Sequence, residues 1–197
     1  MLKQVQHDKL KRIFTTIGAR LYIQKKNSVT QALSYLETNK MKYKRLTKEQ
    51  FEALHKEFSN FLATQSIDKG EWDKIKSDKP EVAEQELDVF SDLIWEGVLT
   101  KANYLEHFSK NHIFLFHCQE KLIQSIVLKA LEPQVDFMEK EGLQWLSDNL
   151  FTDTVEIHIG KKEYHEERNK HIFDLIKEGA ILSDGQLYLQ INGIIQS

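Results

Sequence analysis

Four carboxylates recur at every fourth position of one predicted helix, and they are the residues of this sequence best placed for chemistry. They are Glu84, Asp88, Asp92 and Glu96, and we name them the acidic stripe because residues four apart share a helix face. Like charges at this spacing destabilise a helix by roughly 0.2–0.5 kcal/mol per pair, so a cationic partner would stabilise the stripe. We expect it to bind a basic protein surface or the chain's own basic N-terminal arm. The alternative is a solvated acidic face that contacts nothing.

The distribution of charge along the chain supplies such an arm. The 197 residues carry a formal net charge of −3, but residues 1–45 contain eleven Lys/Arg against two Asp/Glu, a net charge of +9. Residues 46–197 contain sixteen Lys/Arg against twenty-eight Asp/Glu, a net charge of −12. Within the arm, residues 8–24 have the pattern of a basic amphipathic helix. That pattern fits a membrane-surface helix, a transit peptide, a nucleic-acid arm or a poorly ordered extension upstream of a native start at Met41.

Metal and thiol chemistry have weak signals in this sequence. Only one Glu-x-x-His spacing occurs, at Glu52 and His55, whereas di-metal carboxylate bundles use two. Three further histidines are spaced by five, which puts neighbours on opposite faces of a strand; they are His107, His112 and His117. Cys118 shares a strand face with apolar residues, as a buried thiol does. We expect no catalytic residue, no metal site and no cofactor.

Several other protein classes lack their sequence signatures. There is no glycine-rich phosphate loop and no Gly-x-Ser-x-Gly nucleophile turn. No apolar run approaches the ~18 residues that span a bilayer. The single cysteine rules out a disulfide within one chain. We expect a cytoplasmic protein without a membrane span.

Helix-capping patterns predict a helical N-terminal half. Thr47 with Gln50 opens a helix over residues 46–63, and Asp68 with Glu71 opens a second, short helix. Residues 78–81 (DKPE) open a third helix, which carries the acidic stripe and ends near residue 99. Residues 104–108 suggest another turn or two of helix.

The pattern changes after residue 111 and predicts a sheet. Residues 113–118 and 123–131 form a hairpin, and residues 155–159 alternate like a half-buried strand. Helices follow Asp136 and cover residues 165–178, with Gly179 as the C-terminal stop. Residues 187–191 form a final strand. We expect an α+β fold with a helical N-terminal half packed on a small mixed β-sheet in the C-terminal half. Residues 1–40 are a basic extension, poorly ordered or a start-site artefact, and residues 41–197 a single domain.

Two other functions compete with a binding surface. An enzyme site could assemble in space from polar residues of the C-terminal half; they are His107, His158, His165, Glu163 and Asp153. A helix ending at residue 178, followed by a hairpin over residues 181–191, also looks like a winged-helix nucleic-acid binder. Residues 161–178 balance five Lys/Arg against five Asp/Glu. Because nucleic-acid affinity depends on cations that neutralise phosphates, nucleic acid is not the favoured partner.

Several short runs carry a resemblance. Residues 84–88 (EQELD), 90–95 (FSDLIW), 142–146 (GLQWL) and 172–176 (IFDLI), the last leading to residues 181–185 (ILSDG), look like an uncharacterised bacterial family of unknown function. The similarity covers about residues 41–191, implies no activity or site, and suggests that the native domain begins near Met41. We therefore expect a non-catalytic cytoplasmic interaction or regulatory module with an acidic helix face.

Overall fold

The computed structural model describes residues 41–196. The amphipathic pattern at residues 8–24 and the rest of the predicted basic extension, residues 1–40, lie outside the described residues. The described chain divides into two compact units, with the boundary between Thr100 and Lys101. Each unit is described by itself.

The described part of the first unit is helical, as predicted. Its helices are α1 (Lys48–Ala53), α2 (His55–Thr64), α3 (Lys69–Asp78) and α4 (Pro80–Lys101). Both predicted capping boxes form, at Thr47 with Gln50 and at Asp68 with Glu71. The single helix predicted over residues 46–63 is interrupted at Leu54, whose ψ of 19° lies outside the helical range. The stripe helix ends at Lys101, within two residues of the predicted end near residue 99.

An aromatic cluster forms the core between these helices. Phe90 of α4 is almost fully buried and contacts three other phenylalanine rings at centroid distances of 5.0–5.8 Å; they are Phe51, Phe58 and Phe61. Trp72 of α3 packs on Phe58 with ring centroids 5.3 Å apart. Aromatic pairs at these separations stabilise beyond the area they bury. The cluster anchors one side of α4 and thereby fixes the helix that carries the acidic stripe.

The second unit contains a five-stranded sheet, which confirms the α+β class. Its strands are β1 (Tyr104–Phe108), β2 (His112–Cys118), β3 (Leu122–Ala130), β4 (Val155–Glu163) and β5 (Ile181–Ser183). Their spatial order is β4-β3-β2-β1-β5, and every pair is antiparallel, so the expectation of a mixed sheet is wrong. Parallel neighbours need a crossover connection, whereas short turns join β1, β2 and β3 here. The helices are α5 (Lys140–Asn149), α6 (Arg168–Lys177) and α7 (Gln186–Ile195).

One face of the sheet carries an apolar core. Ile113 and Leu115 of β2 and Ile126 and Leu128 of β3 are fully buried at alternating positions, because side chains two apart point to the same face of a strand. Residues of α5 and α7 cover them, among them Leu146, Tyr188 and Ile191.

Two segments have the wrong element type in the sequence prediction. Residues 104–108 form β1 rather than helical turns, since they pair with β2 on one side and β5 on the other. Residues 187–191 lie in α7 rather than in a strand. Gly185 starts α7 with a positive φ of 79°, a conformation that glycine adopts at little cost. The predicted wing is therefore absent from the described second unit, where a helix follows β5.

No helix within residues 41–196 is both long and apolar enough to cross a membrane.

Candidate functional site

A short segment lies along α4 and contacts all four carboxylates of the acidic stripe. This segment, residues 42–46 (KYKRL), precedes α1, bends at Lys42 and Tyr43, and is named the docked segment. Its residues differ in exposure: Tyr43 and Leu46 are buried and Lys44 is exposed. Residues 42–45 belong both to the basic region, residues 1–45, that the sequence analysis offered as a partner of the stripe and to the predicted domain that begins near Met41.

The side chains of α4 bind the backbone of the docked segment. The two carboxylate oxygens of Asp92 accept the N–H groups of Lys42 and Tyr43, at 2.7 and 2.9 Å. The indole N–H of Trp95 donates to the Lys44 carbonyl at 2.8 Å. Helix side chains thus satisfy the N–H groups of Lys42 and Tyr43 and the carbonyl of Lys44, as buried backbone groups require.

Ser91 completes this row of backbone contacts. Its hydroxyl accepts the Leu46 N–H at 3.1 Å and donates to the carbonyl of Leu87 at 2.7 Å. Because the second bond keeps the hydroxyl hydrogen on the helix, the oxygen lone pairs face the docked segment. Ser91 is fully buried, although serine is usually an exposed residue.

The remaining three carboxylates bind side chains of the docked segment. Glu96 accepts hydrogen bonds from Lys42 Nζ at 3.0 Å and from the Tyr43 hydroxyl at 2.5 Å. Arg45 Nε donates to Asp88 Oδ1 at 2.5 Å, and its Nη1 donates to Glu84. Charge-assisted bonds of this kind are about twice as strong as neutral ones. The repulsion along the stripe is therefore offset within the chain.

The surroundings of the site raise the pKa values of three of its groups. Burial raises the pKa of the Asp92 carboxyl, and this exceeds the opposite effect of the two N–H groups that donate to it. Burial, together with the hydrogen bond to Glu96, raises the pKa of the Tyr43 phenol. Hydrogen bonds to Asp88 and Glu84 raise the pKa of Arg45. Tyr43 and Arg45 therefore keep their protons, and the segment stays a hydrogen-bond donor, at neutral pH.

The structure does not bring together the five polar residues proposed for an enzyme site. His107 lies on β1 and His158 on β4, with two strands between them. At the usual strand spacing, this separates their positions by about 14 Å. Asp153 precedes β4 and Glu163 ends it, so these carboxylates lie at opposite ends of a nine-residue strand. Within residues 41–196, no group of three or more metal-ligating side chains is placed to hold an ion.

The other histidines and the cysteine also lie apart. The ring of His117 stacks on Tyr104 with centroids 4.6 Å apart, whereas His112 pairs across the sheet with Lys129. Cys118 is buried, as predicted, and burial raises the pKa of its thiol to about 11. A thiol with this pKa stays protonated at neutral pH and is a poor nucleophile. His55 Nδ1 lies 3.0 Å from the backbone oxygen of Glu52 rather than beside its carboxylate.

Arg168 joins three backbone segments of the second unit through hydrogen bonds, and the sequence prediction did not identify it. It begins α6, and its guanidinium donates to the backbone carbonyls of Ala102, Cys118 and Gln119 at 2.5–2.9 Å. These carbonyls belong to the entry to β1, the end of β2 and the turn before β3. The planar fork of arginine suits such convergent acceptors. No sequence spacing identifies this contact, because its partners lie 49 to 66 residues away.

Fold and site together define an α+β protein in which α4, the longest helix of residues 41–196, carries a row of four carboxylates. The model of a family of unknown function, DUF6495, matches residues 41–196. The chain belongs to this family, which confirms the resemblance to an uncharacterised family drawn from the sequence. Comparisons with curated proteins and with solved structures found no match.

Proposed function

We propose that this protein is a non-catalytic interaction or regulatory module whose binding surface is the acidic face of α4. Its ligand is a short basic segment, supplied in the resting chain by residues 42–46. One observation carries the proposal: Asp92 accepts the two consecutive backbone N–H groups of Lys42 and Tyr43, where the chain bends. A carboxylate used in this way binds peptide backbone, which a solvated acidic face does not do.

The contacts define the chemistry of a ligand that fits this surface. Cations are bound at positions 42 and 45, through Glu96, Asp88 and Glu84. Apolar or aromatic side chains are buried at positions 43 and 46, and position 44 points to solvent. A partner therefore carries the order basic, aromatic, any residue, basic, apolar. Backbone bonds supply affinity and these side chains supply selectivity, as in other modes of peptide recognition.

Occupation by the chain's own segment makes the module regulated. A short tether gives a segment an effective concentration on the order of millimolar at its site. A partner with the same pattern must displace residues 42–46, so its apparent affinity is reduced by that competition. Anything that weakens the docked segment exposes the surface. We place this module in the bacterial cytoplasm, and fractionation of cells that produce the full chain tests the location.

A peptide-binding measurement tests the proposal on the full chain. The double variant Lys42→Ala, Arg45→Ala removes both cations of the docked segment from the stripe. A fluorescent peptide with the sequence of residues 41–47 should bind this variant at least ten times more tightly than the unchanged chain, measured by anisotropy. Adding Asp88→Asn to the double variant should lower the affinity, because the peptide arginine loses its carboxylate.

Two controls separate recognition from general charge attraction. Glu81→Gln in the double variant removes one charge from the same helix outside the stripe, and the affinity should not change. A scrambled peptide of identical composition should bind weakly. Equal binding of the scrambled and natural peptides, or no binding by the double variant, would contradict the proposal.

A further inference from the structure

β4 is an edge strand of the sheet, and one of its sides pairs with no other strand among residues 41–196. In the part of the chain that the structure describes, β4 pairs only with β3. Leu131 donates its N–H to the Thr154 carbonyl, and Tyr164 donates to the Lys121 carbonyl. Because hydrogen-bonded positions alternate along an antiparallel pair, the even-numbered residues of β4 bond to β3. The odd-numbered residues direct their N–H and C=O groups away from the sheet.

The open edge also exposes apolar side chains. Ile159, at the centre of the strand, is 63% exposed, and Phe151, four residues before the strand, is 64% exposed. Exposed edges pair readily with other strands, so natural proteins usually cover, shorten or charge them. A nine-residue strand, about 30 Å long, with a bare isoleucine at its centre favours pairing.

We propose that two copies of this chain pair through β4, antiparallel about a two-fold axis at Ile159, and form one continuous sheet of ten strands. The order of charges on β4 is self-complementary in this register. Glu156 faces Lys162 of the second copy, and Lys162 faces Glu156 of the second copy. Ile159 faces its own equivalent, which covers both side chains. A two-fold interface uses the same patch on both partners, so each favourable contact occurs twice.

The backbone supports the same register. Ile159 is an odd-numbered residue, so its outward N–H and C=O can bond to the same residue of the second copy. An axis at His158 or Gly160 also lets odd-numbered residues face odd-numbered residues, so the backbone alone does not distinguish these registers. Those registers lose both Glu156–Lys162 contacts. The order of charges therefore selects the alignment about Ile159.

The ion pair with Lys129 already holds the Glu156 carboxylate on the face of the sheet where this contact would form. Lys129 of β3 holds the Glu156 carboxylate at 2.9 Å on the sheet face that Lys162 shares. In the paired sheet, this carboxylate lies between two ammonium groups. Edge lysines commonly prevent strand pairing, but Lys162 meets an opposite charge here. A single strand pair buries little area, so the dimer is weak and concentration-dependent.

Sedimentation velocity of the full chain, from about 1 µM to about 1 mM, tests the proposal. The unchanged chain should show a monomer–dimer equilibrium. Glu156→Lys and Lys162→Glu each place like charges opposite one another twice, so each should weaken association at least tenfold. Lys170→Glu, a charge reversal on α6, is the matched control and should leave association unchanged. Circular dichroism confirms that each variant is folded.

The decisive sample is an equimolar mixture of the two single variants. Every facing pair is then again one Lys and one Glu, so the mixture should associate as a heterodimer although neither variant does so alone. Three results would overturn the proposal: a monomer at every concentration, association that the single variants do not weaken, or a mixture that stays monomeric.

Discussion

In the first unit a chain segment is held against a helix by carboxylates, whereas in the second unit five strands are held by their own backbone and an apolar layer. Asp92 and the other carboxylates of the stripe bind residues 42–46 through charge-assisted hydrogen bonds. The sheet rests on fully buried aliphatic residues such as Leu115 and Ile126. Both arrangements order a chain, but their energies come from different sources.

Because their stabilising contacts differ, the two regions should respond differently to pH and salt. Carboxylate contacts depend on protonation and are screened by salt when they are exposed. Buried aliphatic contacts depend on shape and volume and hardly on either condition. The docked segment is thus the region that a change in solution or a competing cation releases first.

The largest expected effect is a truncation in the sheet core. Leu115→Ala should lower the free energy of unfolding by about 2–5 kcal/mol, because it leaves a cavity among fully buried neighbours. Urea denaturation measures the loss, which should be the same at low and high salt. Leu115→Met keeps the volume and should cost less than about 1.5 kcal/mol. Equal losses for the two variants would contradict this account of the core.

Substitution of Arg168 should cause the second-largest loss of stability. It tests whether a charged side chain also stabilises the second unit. Arg168→Ala leaves several carbonyls without their donor and should cost about 2–3 kcal/mol. Arg168→Lys should recover less than half of this, because an ammonium cannot donate along the arginine fork. Lys170→Ala, on the exposed side of the same helix, should stay within about 0.5 kcal/mol. A full recovery by lysine would show that the charge alone matters.

Asp92→Asn should have a smaller effect, of about 1–2 kcal/mol, on the free energy of unfolding. Both oxygens of Asp92 accept a backbone N–H, and the asparagine amide turns an NH₂ group toward one of these donors. Thermal denaturation and the proteolytic cleavage rate after Lys42 should both report the loss. Asp73→Asn, at an exposed carboxylate paired with Lys76, is the control. A loss at Asp73 as large as that at Asp92 would count against backbone binding.

Alkaline pH should produce the smallest effect. The folded pKa of Tyr43 is raised above its unfolded value, so its contribution to stability is complete below about pH 10 and is lost as the pH rises through the folded pKa. The stability difference between the unchanged chain and Tyr43→Phe, about 1 kcal/mol at pH 8, should therefore shrink above pH 10. Denaturation at several pH values measures it. A difference that is constant to pH 12 would place Tyr43 away from Glu96.

Local signals predicted the parts of the fold that local contacts determine. The capping boxes at Thr47 and Asp68 start helices because their partners lie three residues away. The hairpin of β2 and β3 followed from β-branched and aromatic runs. β1 and α7 could not be predicted in this way, since residues 104–108 become a strand through pairing with distant strands. Tyr188 and Ile191 are buried by a sheet that the local sequence does not contain.

The sequence predicted only some of the residues of the candidate site. Spacing every fourth residue identified the carboxylates, and the charge count included Lys42 and Arg45 in the basic region. Their pairing with particular carboxylates depends on where residues 42–46 meet α4, which requires the folded unit. Trp95 and Ser91 gave no signal, because their partners are backbone groups of residues 44 and 46, which lie far away in the sequence.

The docked segment also sets a rule for sequence variation within the family. Arg45 is bound through its side chain, so a relative without this arginine has no ion pair to conserve at Glu84 and Asp88. Substitutions at positions 45, 84 and 88 should therefore occur together. Asp92 binds backbone N–H groups, which every residue except proline supplies. A substitution at position 42 or 43 therefore leaves the N–H contacts of Asp92 in place whatever it does to the side-chain contacts, but proline at either position would remove a donor.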